Sequence, residues 1–432
     1  SELGEHTELH FEGLDTTADV YLNGRLLGSA DNMHIAHDYE VNGWLREGVN
    51  TLSVRLDIGV RKWQDAPKEP YDSWGPSKDW PRYWMRKAQF TFGWDWAKCL
   101  PTCGIWRAVE LRSWRGAALR DLCLRTKLGA DGSARVDIIA EVMGLQDQGA
   151  RDVVLEVGME CNGRTRTTII DNTLGPGNNT LRGRINVPEP ELWWPAGYGE
   201  QPLYGVTATL TCGGDEADVR HLRYGLREVK LIQEPLPHEE GESFVLAVNG
   251  EEIFCKGANW IPADSIIARV TPAKYDALVS AAAEANFNML RIWGGGIFED
   301  DVFYELCDEK GILVWQDFLY SCMYYPDDDP DFVDRSQREA EFAVRRLRNH
   351  ACVALWCGNN ENQWLHQGRV ERGEAADRCY GERIYHQTLP EVCDRLDPTR
   401  PYWPSSPFSA QNDEDLNSQT SGDRHAWQVS ID

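Results

Sequence analysis

Val353-Ala354-Leu355-Trp356-Cys357-Gly358-Asn359-Asn360-Glu361-Asn362-Gln363 decides how the rest of the chain is read. Val353 to Trp356 is a short apolar run that reads as a buried strand, and Gly358 breaks it. Two amides then deliver one carboxylate, Glu361, at the strand's C-terminal end. Buried strands alternating with helices imply a parallel α/β sheet. In a barrel of such units the C-terminal strand ends form the active-site mouth. Glu361 is therefore a candidate catalytic acid/base. Taken alone it reads as readily as a solvated or helix-capping carboxylate, and its neighbours have to decide.

Those neighbours continue the same rhythm. Before the strand stands a long charged helix, Phe332 to His350, and after it a helix from about Arg378 to Leu396, then Arg400-Pro401-Tyr402-Trp403. Further upstream, Thr271 caps a helix with Pro272 at its first position. Tyr275, Leu278, Val279 and Ala282 fall on one face of it. The strand Asn288 to Trp293 ends in Gly294-Gly295-Gly296. A helix with Val302, Phe303, Leu306 and Cys307 inward closes at Gly311, and the strand Ile312 to Asp317 follows. A sixth strand is expected near Gly422 to Val429. Residues 229–432 thus read as a (β/α)8 TIM barrel in progress, short of the roughly 250 residues that eight units need.

The earlier residues have a different period. Residues 1–113 read as short strands of a jelly-roll β-sandwich, with a hairpin turn at Asn23-Gly24. The chain opens on a strand, so the first strands of this domain are expected to be missing. Residues 61–107 interrupt it with Trp63, Trp74, Trp80, Trp84, Trp94, Trp96 and Trp106 among Pro67, Pro70, Pro76 and Pro81. A loop of that length in a compact domain is functional or disordered, and its aromatic content opposes disorder. It is expected to pack over another domain. Residues 114–228 read as an immunoglobulin-like sandwich without the disulfide, a spacer with no site residue.

Composition narrows the function. The net charge of −25 over 432 residues makes nucleic acid and anionic membrane poor partners. No run approaches the ~18 apolar residues of a membrane span. The 12 cysteines show no zinc-like spacing and read as thiols of a reducing, cytoplasmic compartment. The 18 tryptophans are the unusual feature. Indole faces pack on the C–H face of a sugar while the N–H finds a polar partner. The strand ends Asn259-Trp260, Arg291-Ile292-Trp293, Gln316-Asp317 and Asn360-Glu361 form a wall suited to a neutral polyhydroxylated ligand. No P-loop follows the triple glycine, no helical His pair suggests a metal, and no Gly-x-Ser-x-Gly is present. Neither metal nor cofactor is expected.

The sequence resembles the family 2 glycoside hydrolases, and within them the β-mannosidase branch. The resemblance rests on Phe11-Glu12-Gly13-Leu14-Asp15-Thr16, Val20-Tyr21-Leu22-Asn23-Gly24 and Phe92-Gly93-Trp94-Asp95-Trp96. It continues through Leu290 to Gly296, Leu313 to Phe318 and Trp356 to Glu361. It implies a retaining exo-hydrolase acting on terminal β-D-mannose, with two carboxyl groups about 5–5.5 Å apart. Glu361 would be the acid/base and Asn360 the partner of the 2-hydroxyl. Trp293 and Arg291 would line the sugar subsite, with Trp94 and Asp95 closing the pocket. Asp317 and His425 are further candidates for sugar binding. The family's nucleophile is a Glu on the seventh barrel strand, and no residue here matches its motif. Gly422-Asp423-Arg424-His425-Ala426-Trp427 resembles the family just upstream of that motif. The chain therefore reads as a fragment, expected to be unable to complete the reaction alone. An exo-β-glucosaminidase of the same family and a non-catalytic carbohydrate-binding protein are the alternatives.

Overall fold

The computed structural model describes residues 4–68, 70–71, 81–145, 149–375, 378–410 and 415–427. Trp74, Pro76 and Trp80 of the aromatic excursion lie outside the described residues, as does Val429.

The N-terminal region contains two three-stranded antiparallel sheets. His6–Phe11 lies between His37–Glu40 and Val109–Trp114, and Thr17–Leu22 between Arg25–Ala30 and Leu52–Asp57. Ala18, Val20 and Leu22 alternate inward onto Phe11 and Leu14. The turn joining Thr17–Leu22 to Arg25–Ala30 needs two left-handed residues, which Asn23 (φ 53°) and Gly24 (φ 81°) supply.

Residues 60–107 then leave this core. They form the short helix Val60–Trp63 and single turns at Arg82–Trp84 and Gln89–Thr91. Trp63, Tyr71, Tyr83, Trp84, Met85 and Phe92 join the same apolar cluster as Tyr275, Phe303 and Phe332, far along the chain. The excursion is held by a core it shares with the α/β region.

Seven strands in two sheets follow. Ala117–Leu128, Ala134–Gly144 and Gly177–Val187 make one; Arg151–Cys161, Arg164–Leu174, Tyr204–Cys212 and Asp215–Tyr224 make the other. Ala134–Gly144 alternates without a break, sending Val136, Ile138, Ala140 and Val142 inward. Cys123, Cys161 and Cys212 are free thiols, so the sheets are joined by packing and by a few hydrogen bonds, such as Leu119 N–H to Asp218 and Tyr224 OH to the Leu124 carbonyl.

A small antiparallel sheet, Val229–Ile232, Val245–Val248 and Glu251–Ile253, leads into five parallel strands. These are Gly257–Trp260, Met289–Ile292, Leu313–Asp317, Val353–Cys357 and Tyr402–Trp403, neighbours in chain order. Helices Pro272–Glu284, Asp301–Lys310, Pro330–Leu347 and Leu389–Leu396 lie between them. The described residues show this open sheet and not a closed barrel.

Three details differ from the sequence reading. Leu278 is 39% exposed while Tyr275, Val279 and Ala282 are buried, because it sits at the edge of their stripe. The helix expected from Arg378 begins as one wide turn at Ile384–Thr388, and the regular helix covers only Leu389–Leu396. Pro390 has no N–H to return to the His386 carbonyl, so the ladder opens there. Around Gly422 to Trp427 there is no strand among the described residues. The His425 N–H instead bonds the Asn417 side chain, and the segment turns its side chains into the site.

Candidate active site

The Val353–Cys357 strand is wholly buried and delivers the site at its end. Gly358 is required by close approach, because a Cβ there would collide with the Pro404 carbonyl oxygen. Asn359 knits the turn, donating to the Pro404 carbonyl and accepting from the Asn362 N–H and Ser405 Oγ. Asn360 N–H bonds the Tyr320 carbonyl, and Glu361 N–H the Ser406 carbonyl. Clamped from both sides, Glu361 takes a left-handed conformation (φ 64°) just before the helix Asn362–Glu371. A non-glycine residue there costs roughly 1 kcal/mol or more, a strain typical of functional sites.

A cavity of about 630 Å³ opens over this turn. Glu361, Asn360, Arg291, Trp293, Trp94, Asp95 and His425 all line it. They come from distant segments that the sheet order and the aromatic excursion bring together. Trp293 meets Trp94 edge-on at 4.8 Å and Trp96 at 5.7 Å. The loop carrying Trp94 is seated by a bond from the Phe90 N–H to the Gly295 carbonyl.

Asp317 does not line the cavity. It is fully buried beneath Arg291, whose guanidinium donates to it at 2.7 and 3.3 Å. Trp315 Nε1 and the Gly294 N–H donate to it as well. Burial lifts the Asp317 pKa above the ordinary carboxylate value, against the pull of the Arg291 charge and these hydrogen bonds. Burial likewise works against the Arg291 cation, and the Asp317 charge more than compensates. Arg291 then presents its remaining hydrogens to Asn360 Oδ1 at 2.9 Å and Asn259 Oδ1 at 3.1 Å. Asp317 positions the guanidinium and has no free face for a ligand.

Glu361 is 8% exposed and well supplied with donors. His425 Nδ1 lies 2.7 Å and Trp427 Nε1 3.0 Å from Oε1, and the Cys322 thiol reaches Oε2 at 3.5 Å. Burial pushes its pKa up, but the hydrogen bond and charge of His425, with Trp427 and Cys322, outweigh that and leave it below the ordinary carboxylate value. Behind His425 the chain of bonds continues. Ser406 Oγ donates to Asp423 at 2.6 Å and lies 2.9 Å from His425 Nε2. A hydroxyl committed to Asp423 accepts from Nε2–H, so the Nδ1 proton is the one shared with Glu361. The pair can hold one proton on either side, which is what an acid/base group needs.

Cys322, Ser406, Asp423 and Trp427 also line the cavity, and the sequence reading does not single them out. Asp423 and Trp427 fall within a stretch that resembles the family; Cys322 and Ser406 carry no local signal. Elsewhere, Asp308, His350 and Cys352 place ligand-type atoms within 4.8 Å of one another. Asp308 already accepts from the Cys352 N–H and pairs with His350 Nδ1, which accounts for their clustering.

Residues 1–107 match the family model described as "Glycosyl hydrolase 2 galactose-binding domain-like", and residues 117–227 match "Glycosyl hydrolases family 2". Beta-mannosidase B of Thermothelomyces thermophilus is 38% identical over 99% of this chain and 50% of its own length. The protein of that name from Emericella nidulans is 35% identical over 99% of this chain and 51% of its own. The chain thus spans about half the length of the curated relatives it matches. The crystal structure of a beta-D-mannosidase from Dictyoglomus thermophilum superposes with a TM-score of 0.91 at 42% identity, covering 99% of this chain and 51% of that one. An exo-chitosanase from Amycolatopsis orientalis shares the fold, with a TM-score of 0.69 at 21% identity over 93% of this chain and 42% of its own. From the two matched models and these relatives, the chain belongs to glycoside hydrolase family 2.

Proposed function

We propose that this chain carries the acid/base half of an exo-acting retaining β-mannosidase. The observation that carries the reading is Glu361, strained and donor-lined, at the floor of a cavity walled by Trp94, Trp293, Arg291 and Asn360. Glu361 protonates the departing glycosidic oxygen and later activates water; Asn360, held by Arg291, faces the sugar hydroxyls. The relatives' names supply the sugar. We further infer that the parallel sheet is part of a (β/α)8 barrel and that the regions 1–113, 114–228 and 229–432 are its three domains. The twelve free thiols support a reducing, cytoplasmic location.

A retaining mechanism needs a second carboxylate about 5–5.5 Å from the acid. Among the described lining residues, Asp423 is engaged by Trp403, Ser406 and Phe408, and Asp95 sits exposed on its loop. The chain spans about half the length of its curated relatives and carries no match to the family's nucleophile motif, so we assign the nucleophile to a residue outside these 432. Its charge would also push the pKa of Glu361 upward.

The test uses the full-length protein. Glu361→Gln should keep much of its kcat/KM on a dinitrophenyl β-mannoside, whose leaving group needs no proton, and lose about 100-fold or more in kcat/KM on an alkyl β-mannoside. Equal losses on both substrates would overturn the acid/base role. The 432-residue chain should bind mannose without hydrolysing either substrate; turnover by it would overturn the placement of the nucleophile.

A further inference from the structure

A second cavity, of about 460 Å³, lies at the opposite end of the parallel sheet from Glu361. Its walls come from Ala117–Leu128 and Ala134–Gly144, from the segment Tyr224–Lys230, and from the loop before Tyr402–Trp403. Among the described residues, six cationic side chains line it, Arg125, Lys127, Arg135, Arg227, Lys230 and Arg400, against the two acids Asp137 and Glu228. That local surplus sits in a chain whose net charge is −25.

The acids nearby are already engaged. Asp137 pairs with Arg135 at 2.9 Å and with Arg184 at 3.0 Å, and Glu228 accepts from the Leu128 N–H. Asp397 serves Arg400 at 2.9 and 2.8 Å. Arg227 bonds no carboxylate among the described residues. It is 6% exposed, and its Nε and Nη2 donate to the Ala351 and Val353 carbonyls at 2.9 and 2.5 Å. Those two bonds fix the guanidinium plane and do not use Nη1, and Arg227 lines the cavity. Burial and then repulsion from Arg400 pull its pKa down to about 9, against a weaker pull from Asp397, whose carboxylate is bonded to Arg400. A buried charge of this kind is costly unless something negative completes it. Lys127 and Lys230 stand exposed at the rim.

We propose that this cavity binds a small phosphate-class oxyanion, bonded by Arg227 Nη1 and screened at the rim by Lys127 and Lys230. Planar guanidinium against a tetrahedral oxyanion gives the strong charge-assisted bonds that a neutral ligand cannot. The bound anion ties the second sandwich to the base of the sheet, far from the catalytic cavity.

Isothermal titration of the 432-residue chain at constant ionic strength tests this, with inorganic phosphate, a hexose 6-phosphate and the free hexose as probes. One site per chain is expected for one or both phosphates, with the free hexose silent here once the catalytic cavity is saturated with mannose. Arg227→Met should weaken it about tenfold, the worth of one charge-assisted bond. Because Arg227 also holds two carbonyls, the double variant Lys127→Ala/Lys230→Ala, at exposed positions, provides the independent arm, with an expected loss of about threefold and a flatter salt dependence. Tighter binding of the ester than of the free anion identifies a metabolite phosphate; the reverse identifies phosphate itself. No binding beyond that of chloride, or unchanged affinity in the double variant, overturns the proposal.

Discussion

Residues 60–107 and residues 117–224 both lie against the parallel α/β region, and they do so with different chemistry. The second group forms its own core: Val136, Ile138, Leu155 and Val157 face one another between two sheets. It meets the α/β region through Trp193, buried beside Leu313, Ala351 and Ala354, and through polar links at its margin. Arg345 reaches Asp121 at 2.6 Å and Glu141 at 2.7 Å, and Asn349 bonds the Leu122 carbonyl. Among the described residues, 60–107 have no such core of their own. Their aromatics complete the α/β cluster, and their charges are buried with it. Arg86 is fully buried and bidentate to Glu339, at 2.8 and 2.5 Å, with Asn32 donating to the same carboxylate at 2.9 Å. Apolar contact holds a sandwich together whatever its exact orientation. A buried ion pair tolerates one geometry only, and here it fixes the loop that carries Trp94 and Asp95.

Breaking that ion pair should have the largest effect. Arg86→Met leaves Glu339 charged and unpaired in the interior, for a loss of about 3–5 kcal/mol in urea unfolding. The double variant with Glu339→Gln should recover part of it; additive losses would show that the two do not act as a pair.

Next comes pH. His34 is buried in the same junction, edge-on to Phe298, and burial lowers its pKa to about 4 from 6.5. It is neutral when folded, so its contribution is complete above pH 6.5. It is lost as pH falls toward 4, where only the unfolded chain gains the proton, for a change on the order of 3 kcal/mol. His34→Leu should flatten the stability profile over that window; an unchanged slope would remove His34 as the cause.

The second sandwich should behave as an ordinary core. Ile138→Val should cost about 1 kcal/mol and leave mannose affinity unchanged, measured by unfolding and calorimetry on the same variant. The smallest stability effect is expected at Trp96, which is 40% exposed. Trp96→Ala should cost under about 1 kcal/mol while weakening sugar binding, because its ring supports Trp293. If stability and binding fell together at Trp96, the loop would be part of the core and not a wall of the pocket.

Much of the site is legible in the sequence, for identifiable reasons. Glu361, Asn360, Arg291 and Trp293 stand at strand ends marked by glycine, and a strand end in a parallel sheet has a known direction. Asp317 occupies an equivalent position, and the same reasoning makes it a sugar ligand. Its side chain turns under Arg291 instead, a choice made by Trp315 and the Gly294 N–H that no local pattern records. Ser406 and Asp423 belong to loops, where period says nothing about which residue faces a cavity.

Side-chain period and turn chemistry act over a few residues, so the alternation of strands and helices, the sandwich cores and the family can all be read along the chain. Three features cannot: which groups share protons with Glu361, the support of Arg291 from below by Asp317, and the commitment of Asp397 to Arg400 rather than to Arg227. Each depends on hydrogen bonding and burial, and these are settled by what arrives from elsewhere in the chain. His425 is brought to Glu361 from 64 residues away, and Asp397 is taken by Arg400 before it can serve Arg227.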